Sequence, residues 1–175
     1  MLLHCWHILK LLMILGTIDN KRVIQMHEKD IKTANCIINR TLELKMLITN
    51  AKLNQIAFLI QGQYSQTYKE SLFHDKFEKW YFPVNNSIYQ AYKRLGSEKI
   101  SELDLINTKL HTSKNNDVNC KKLELLKSLI NKLILVDDFK LVNTIRQYYK
   151  QTDTYFSKIE IRDDTNKVLK DLKII

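Results

Sequence analysis

Apolar residues recur at three- and four-residue steps from Lys21 to Gly62, and no proline or glycine interrupts the stretch before Gly62. Ile24, Ile31, Ala34, Ile38, Ile48, Ala51, Phe58 and Leu59 mark the stripe. That period belongs to one face of a helix, so the pattern predicts a single long first helix of roughly ten turns. A helix of that length is expected in a bundle or a coiled coil. Three Gly and one Pro in 175 residues leave little material for the tight turns of a hairpin-rich β fold. One position on the stripe is polar: Gln55 is predicted to face inward with its amide satisfied by a neighbour.

Beyond the stripe, Gly62 is expected to end the first helix. Pro83 is placed to open the next, with Asn85 or Asn86 as its cap. That second segment runs over residues 84–111 with an interruption at Gly96 and Ser97. A third helix is predicted over 118–136, and Asp137-Asp138 marks a tight helix–helix turn. A fourth carries Val142, Ile145, Tyr149, Tyr155, Phe156 and Ile159, and the last dozen residues read as a frayed, charged end. No strand is predicted, although residues 155–161 are ambiguous. The fold class is therefore all-α, a four-helix bundle with a long first helix and an N-terminal apolar helical segment. Residues 1–20 form that segment and 21–175 a single domain.

The net charge of +9 raises nucleic acid as a partner. The basic residues are spread along the chain and do not alternate with aromatics, so a solvated, mildly basic surface is the expectation and specific nucleic-acid binding is not. Cys5, Cys36 and Cys120 are odd in number and lack close pairing, which points to a reducing compartment without disulfides. Residues 2–18 are apolar but contain His4, His7 and Lys10, and fall short of the ~20 residues that span a bilayer. They read as a docking helix or a degenerate anchor. His4-Cys5-Trp6-His7 has the composition of a metal tract but is read as chance proximity. No phosphate loop, nucleophile elbow, HExxH or paired-cysteine motif occurs, and no carboxylate pair stands out, so the chain is not expected to be an enzyme.

Three segments carry a family resemblance: Ala51-Lys52-Leu53-Asn54-Gln55-Ile56, then Asp75-Lys76-Phe77-Glu78-Lys79-Trp80-Tyr81-Phe82, then Asn107-Thr108-Lys109-Leu110-His111. In order and chain logic they resemble the bacterial chemoreceptor zinc-binding domain. That four-helix sensory module has a first helix reading approximately Ala-Lys-Ile-Asp-His, a connector reading Cys-x-Phe-Gly-x-Trp-x-Tyr, and a later helix with two histidines four apart. The resemblance covers roughly residues 45–160. Tyr155-Phe156-Ser157 is similar to the family's last, aromatic-bearing helix.

The family holds zinc with three histidines and a cysteine. Gln55 stands at the first histidine position, Asp75 at the cysteine, Asn107 at the next histidine, and only His111 matches; Glu78 replaces the motif glycine. Neutral amide oxygens compete poorly for zinc, so the resemblance implies the scaffold with a degenerate site and no resident cofactor. Gln55, Asn107, His111 and Asp75 are then expected to exchange hydrogen bonds, with an Asp75–His111 pair as a pH-sensitive element. A displaced site of His74, Asp75 and His111 is a further reading. Trp80 and Tyr81 are the motif anchors, with Trp80 buried near Gln55, Asn107 and His111. The function implied is a non-enzymatic sensory or regulatory module in the cytoplasm, membrane-associated through residues 2–18 if at all. It would act on a signalling protein or through self-association along the long first helix. An extracytoplasmic four-helix ligand-binding domain of a membrane receptor and a basic nucleic-acid-associated protein are the alternatives.

Overall fold

A computed structural model describes residues 26–106, 123–148 and 154–175. Within them the chain is mostly helical, with two small sheets. Expected segments 1–20 and 107–122 lie outside the described residues.

The central element is α2 (Asn50–Tyr68), preceded by α1 (Glu28–Glu43) and the short strand β1 (Ile48–Thr49). Residues 53–62 of α2 are all buried, as befits a helix surrounded by protein on every side. In contrast, α1 is amphipathic and buries Ile31, Ala34, Ile37 and Ile38. The predicted unbroken first helix is thus two helices. Lys45 takes a left-handed backbone (φ 56°) just after α1, and the Thr49 side chain accepts from the Lys52 N–H to start α2. The apolar period ran through this break because both helices bury their stripes in the same core.

Gly62 does not end α2. It lies where α6 (Lys158–Asp171) crosses, and a Cβ there would meet Thr165 Oγ1 at 1.9 Å and the Ile161 carbonyl oxygen at 2.7 Å. The expected frayed end is this packed helix, which buries Ile161, Val168 and Leu169. Between them, α4 (Lys127–Leu135) and α5 (Asp138–Arg146) meet at the predicted Asp-Asp turn, with Asp137 capping α5. Lys52 of α2 reaches that turn, donating to the carbonyls of Ile134 (2.8 Å) and Val136 (2.6 Å) and pairing with Asp138 (2.8 Å). A buried ammonium so placed satisfies carbonyls that the end of α4 leaves open.

Four short strands were not foreseen. β1 pairs with β4 (Lys99–Ile100), and β2 (Phe77–Lys79) forms an antiparallel hairpin with β3 (Pro83–Asn85). The chain at 154–156 adds to the free edge of β2: Lys79 N–H donates to the Thr154 carbonyl (2.8 Å) and Phe156 N–H to that of Phe77 (2.9 Å). Asn85, one of the two predicted caps, starts α3 (Asn86–Tyr92) by accepting from the Ile88 N–H. The expected helix over 84–111 is reduced to this piece and two 3-10 turns as far as the described residues reach. The helical class stands, while the four-helix count and the long first helix are corrected to six helices among the described residues.

Cys36 is disulfide-bonded, correcting the expectation of free thiols; its partner lies outside the described residues. Such a pairing leaves no spacing signal in the sequence. No helix among the described residues is long and apolar enough to cross a membrane.

The ion pair of Lys79 with Glu160 (2.7 Å) ties the hairpin to α6, and the Lys79 side chain is only 1% exposed. Its hydrogen bond, with those from Ser157 next, holds the Glu160 carboxyl down to about 2 from an ordinary 4.5. A depressed acid stabilises the fold in its ionised form. The contribution is therefore complete above about pH 4.5 and disappears as pH falls to about 2. In urea titrations, the loss of stability between pH 5 and pH 3 is expected to be smaller in Glu160→Gln than in the unmodified chain. Glutamine preserves the capping-box acceptor toward Ser157, so the comparison isolates the charge. Equal losses in both proteins would contradict the pairing.

Candidate binding site

The connector between α2 and β2 has almost no regular structure, yet two buried side chains clamp its backbone. Gln61 of α2 accepts from the N–H groups of Leu72 (2.9 Å) and Phe73 (3.1 Å). Asp30 of α1, fully buried, accepts from His74 N–H (2.6 Å), Asp75 N–H (2.8 Å) and the Asn85 amide (2.9 Å). The Asn85 N–H in turn donates to Asn54 of α2 (2.9 Å), and Asn54 donates to Asn50. Two helices, connector and hairpin are thus joined by one buried polar chain, which is costly to leave incomplete and so fixes a single arrangement.

That clamp presents Asp75 and His74 beside His27, the residue preceding α1. His27 Nε2 lies 3.1 Å from Asp75 Oδ1, and His74 Nδ1 lies 3.8 Å from the same oxygen. The two imidazoles stack with centroids 3.7 Å apart. Ser87 orients the other carboxylate oxygen, donating to Asp75 Oδ2 from both its N–H (3.1 Å) and its hydroxyl. The same hydroxyl accepts from the His27 N–H (2.7 Å).

Next to this cluster is a cavity of about 780 Å³ between the connector and the start of α6. Phe73, Phe77, Phe156 and Ile161 supply its apolar lining. The three phenylalanines belong to one aromatic cluster with Phe58 of α2, whose ring lies 5.6 Å from Phe77 and 4.7 Å from Phe156. The exposed lysines Lys29, Lys76 and Lys158 also line it, and Glu160, the acid on its α6 side, is engaged by Lys79. Asp75 is the second acid of the lining, so three lysines face one carboxylate that no lysine engages among the described residues, a net positive balance.

Of the residues singled out from sequence, His74 and Asp75 are in this site, with His27 and Ser87 as the hydrogen-bonding partners of Asp75. Asn107 and His111 lie outside the described residues, and with them the proposed Asp75–His111 pair and the displaced site built on His111. Gln55 does face inward at 3% exposure, yet its amide oxygen accepts no hydrogen bond among the described residues, contrary to the satisfied amide expected. Trp80 is corrected from a buried anchor to a surface residue, 39% exposed. Its indole N–H donates to Glu78 (2.8 Å) and its ring packs edge-on against Tyr89. Tyr81 is likewise exposed, under the Arg146 guanidinium at 4.0 Å.

The family's own zinc set is not brought together among the described residues: Gln55 offers a neutral oxygen in the core, and the hydrogen-bonding partners of Asp75 are His27 and Ser87. Sequence reading also missed His27, Asp30 and Gln61. No motif links His27 to a histidine 47 positions later; the only local signal is the acidic first turn that follows it.

No protein-family model, curated protein or solved structure matches the chain.

Proposed function

We propose that the chain is a non-catalytic sensory or regulatory helical module, and that its signal is a small organic anion with an apolar body, taken up beside the clamped connector. The observation that carries this reading is the cavity itself. Its volume lies within the roughly 300–1,000 Å³ usual for ligand sites, and three lysines line it beside the aromatic rings. An anion held there touches the connector, α1 and α6 together, so occupancy favours one relative placement of these elements. The response passes to a signalling partner or to a second copy of the chain through surface contacts. A continuous first helix no longer supplies a dimer seam, because α1 and α2 are separate.

Calorimetric titration with phenyl phosphate, and with phenol as its uncharged counterpart, tests the reading. The chain is expected to bind one phenyl phosphate, with phenol at least about tenfold weaker, and reversal of Lys29 and Lys158 to Glu is expected to weaken phenyl phosphate by a similar factor. Absent binding, or binding indifferent to the charge reversals, contradicts it.

A further inference from the structure

We propose that His27, His74 and Asp75 form a binding site for a divalent transition metal of the zinc class, at the edge of the cavity. The inference stands apart from the small-anion reading, because it needs only these three side chains.

The donor atoms of the three residues lie within 4.8 Å of one another. Zinc binds imidazole nitrogen and carboxylate oxygen at about 2.0–2.2 Å, so two ligands of a tetrahedral site stand roughly 3.4 Å apart. The observed separations of 3.1 Å for His27 Nε2 and 3.8 Å for His74 Nδ1 from Asp75 Oδ1 bracket that value. Two imidazoles with one carboxylate suit zinc, cobalt or nickel, whereas magnesium and calcium prefer oxygen alone. Three protein ligands leave a fourth position for water or an anion.

The surroundings support such a role. Ser87 holds the Asp75 carboxylate through Oδ2, leaving Oδ1 toward the histidines. Asp30 sets the backbone of His74 and Asp75, and the Ser87 hydroxyl that of His27. The frame is therefore organised by folding. What must adjust is one ring. Stacked planes only 25° apart cannot both point their in-plane lone pairs at one ion. His74, with a side chain 60% exposed, has the freedom to turn, since Asp30 fixes its backbone and not its ring. The positive end of α1 opposes a cation at its cap, and the acids Glu28 and Asp30 in its first turn offset that field.

The test is titration of the metal-free full chain with Zn2+, and with Co2+ as a visible-spectrum probe, alongside imidazole nitrogen signals in NMR. One ion per chain is expected, with the His27 and His74 resonances shifted and a cobalt band typical of nitrogen and oxygen ligands. His74→Ala and Asp75→Asn should each weaken binding about ten- to a hundredfold while circular dichroism stays helical. His4, His7 and His111 are the other histidines of the sequence, so a His4→Ala/His7→Ala/His111→Ala variant serves as control. Binding that persists in His74→Ala and disappears in that control overturns the assignment, as does failure of the unmodified chain to bind either metal. Binding lost in His74→Ala and retained in the control establishes it. These outcomes are independent of whether phenyl phosphate binds.

Discussion

Replacing Asp30 with alanine is expected to cost about 4 kcal/mol and to lower the melting temperature by roughly 10 °C. The carboxylate is fully buried and accepts three hydrogen bonds, from two connector N–H groups and the Asn85 amide. Alanine leaves all three donors without this acceptor, each costing about 1–3 kcal/mol where water does not replace it. Some recovery through water entry brings the sum to the lower end of the range. Asp30→Asn should lie between, because one of its two acceptor positions becomes a donor facing an N–H. Measured against a typical total stability of about 5–15 kcal/mol, the alanine variant approaches unfolding. A loss under about 1 kcal/mol would show that the connector does not depend on Asp30.

Gly62→Ala is the second large effect, and here two contributions of opposite sign compete. On an exposed helix the change stabilises by about 1 kcal/mol through propensity alone. At the α2–α6 crossing the new methyl would stand 1.9 Å from Thr165 Oγ1, 2.5 Å from Thr165 Cβ and 2.7 Å from the Ile161 carbonyl oxygen. The last of these is backbone, so the clash is relieved only by parting two helices that, among the described residues, share the most extensive contact. A net loss of about 3 kcal/mol is expected in chemical denaturation. Thr165→Ala in the same chain recovers only part of it, since the Thr165 Cβ and the Ile161 carbonyl remain. A stabilised Gly62→Ala would mean that the helices do not approach as described.

Much of the helical framework could be read in the sequence, for local reasons. Asn85 after Pro83 is a capping signal and Asp137-Asp138 a turn signal; both act over a few residues and both are realised. The stripe through α1 and α2 was legible as helix but not as two helices. Its period is kept across the break, while the turn depends on a lysine in a left-handed conformation that composition does not announce. Gly62 was misread because a glycine that admits a crossing helix looks, in sequence, like one that ends its own. The hairpin escaped notice because its outer edge is paired with residues 154–156, far along the chain.

The site was legible at His74 and Asp75. The Asp75 partner His27 and the clamps Asp30 and Gln61 come from helices whose positions are set by packing, and no spacing rule connects them. Trp80 is expected as a buried motif anchor, yet the hairpin turns it outward while Phe77, three positions earlier, enters the core. The resemblance that joined Gln55, Asp75, Asn107 and His111 rested on order along the chain. Of these, Gln55 and Asp75 make no hydrogen bond to each other.

We propose a small anion as the occupant of the cavity between the clamped connector and the start of α6. Amide shifts of the isotope-labelled full chain on addition of phenyl phosphate test it most directly. Saturable changes concentrated at Phe73, His74, Phe77, Phe156 and Lys158 are predicted. No change, or changes centred on the smaller cavity beside Arg40 and Lys127, would contradict it.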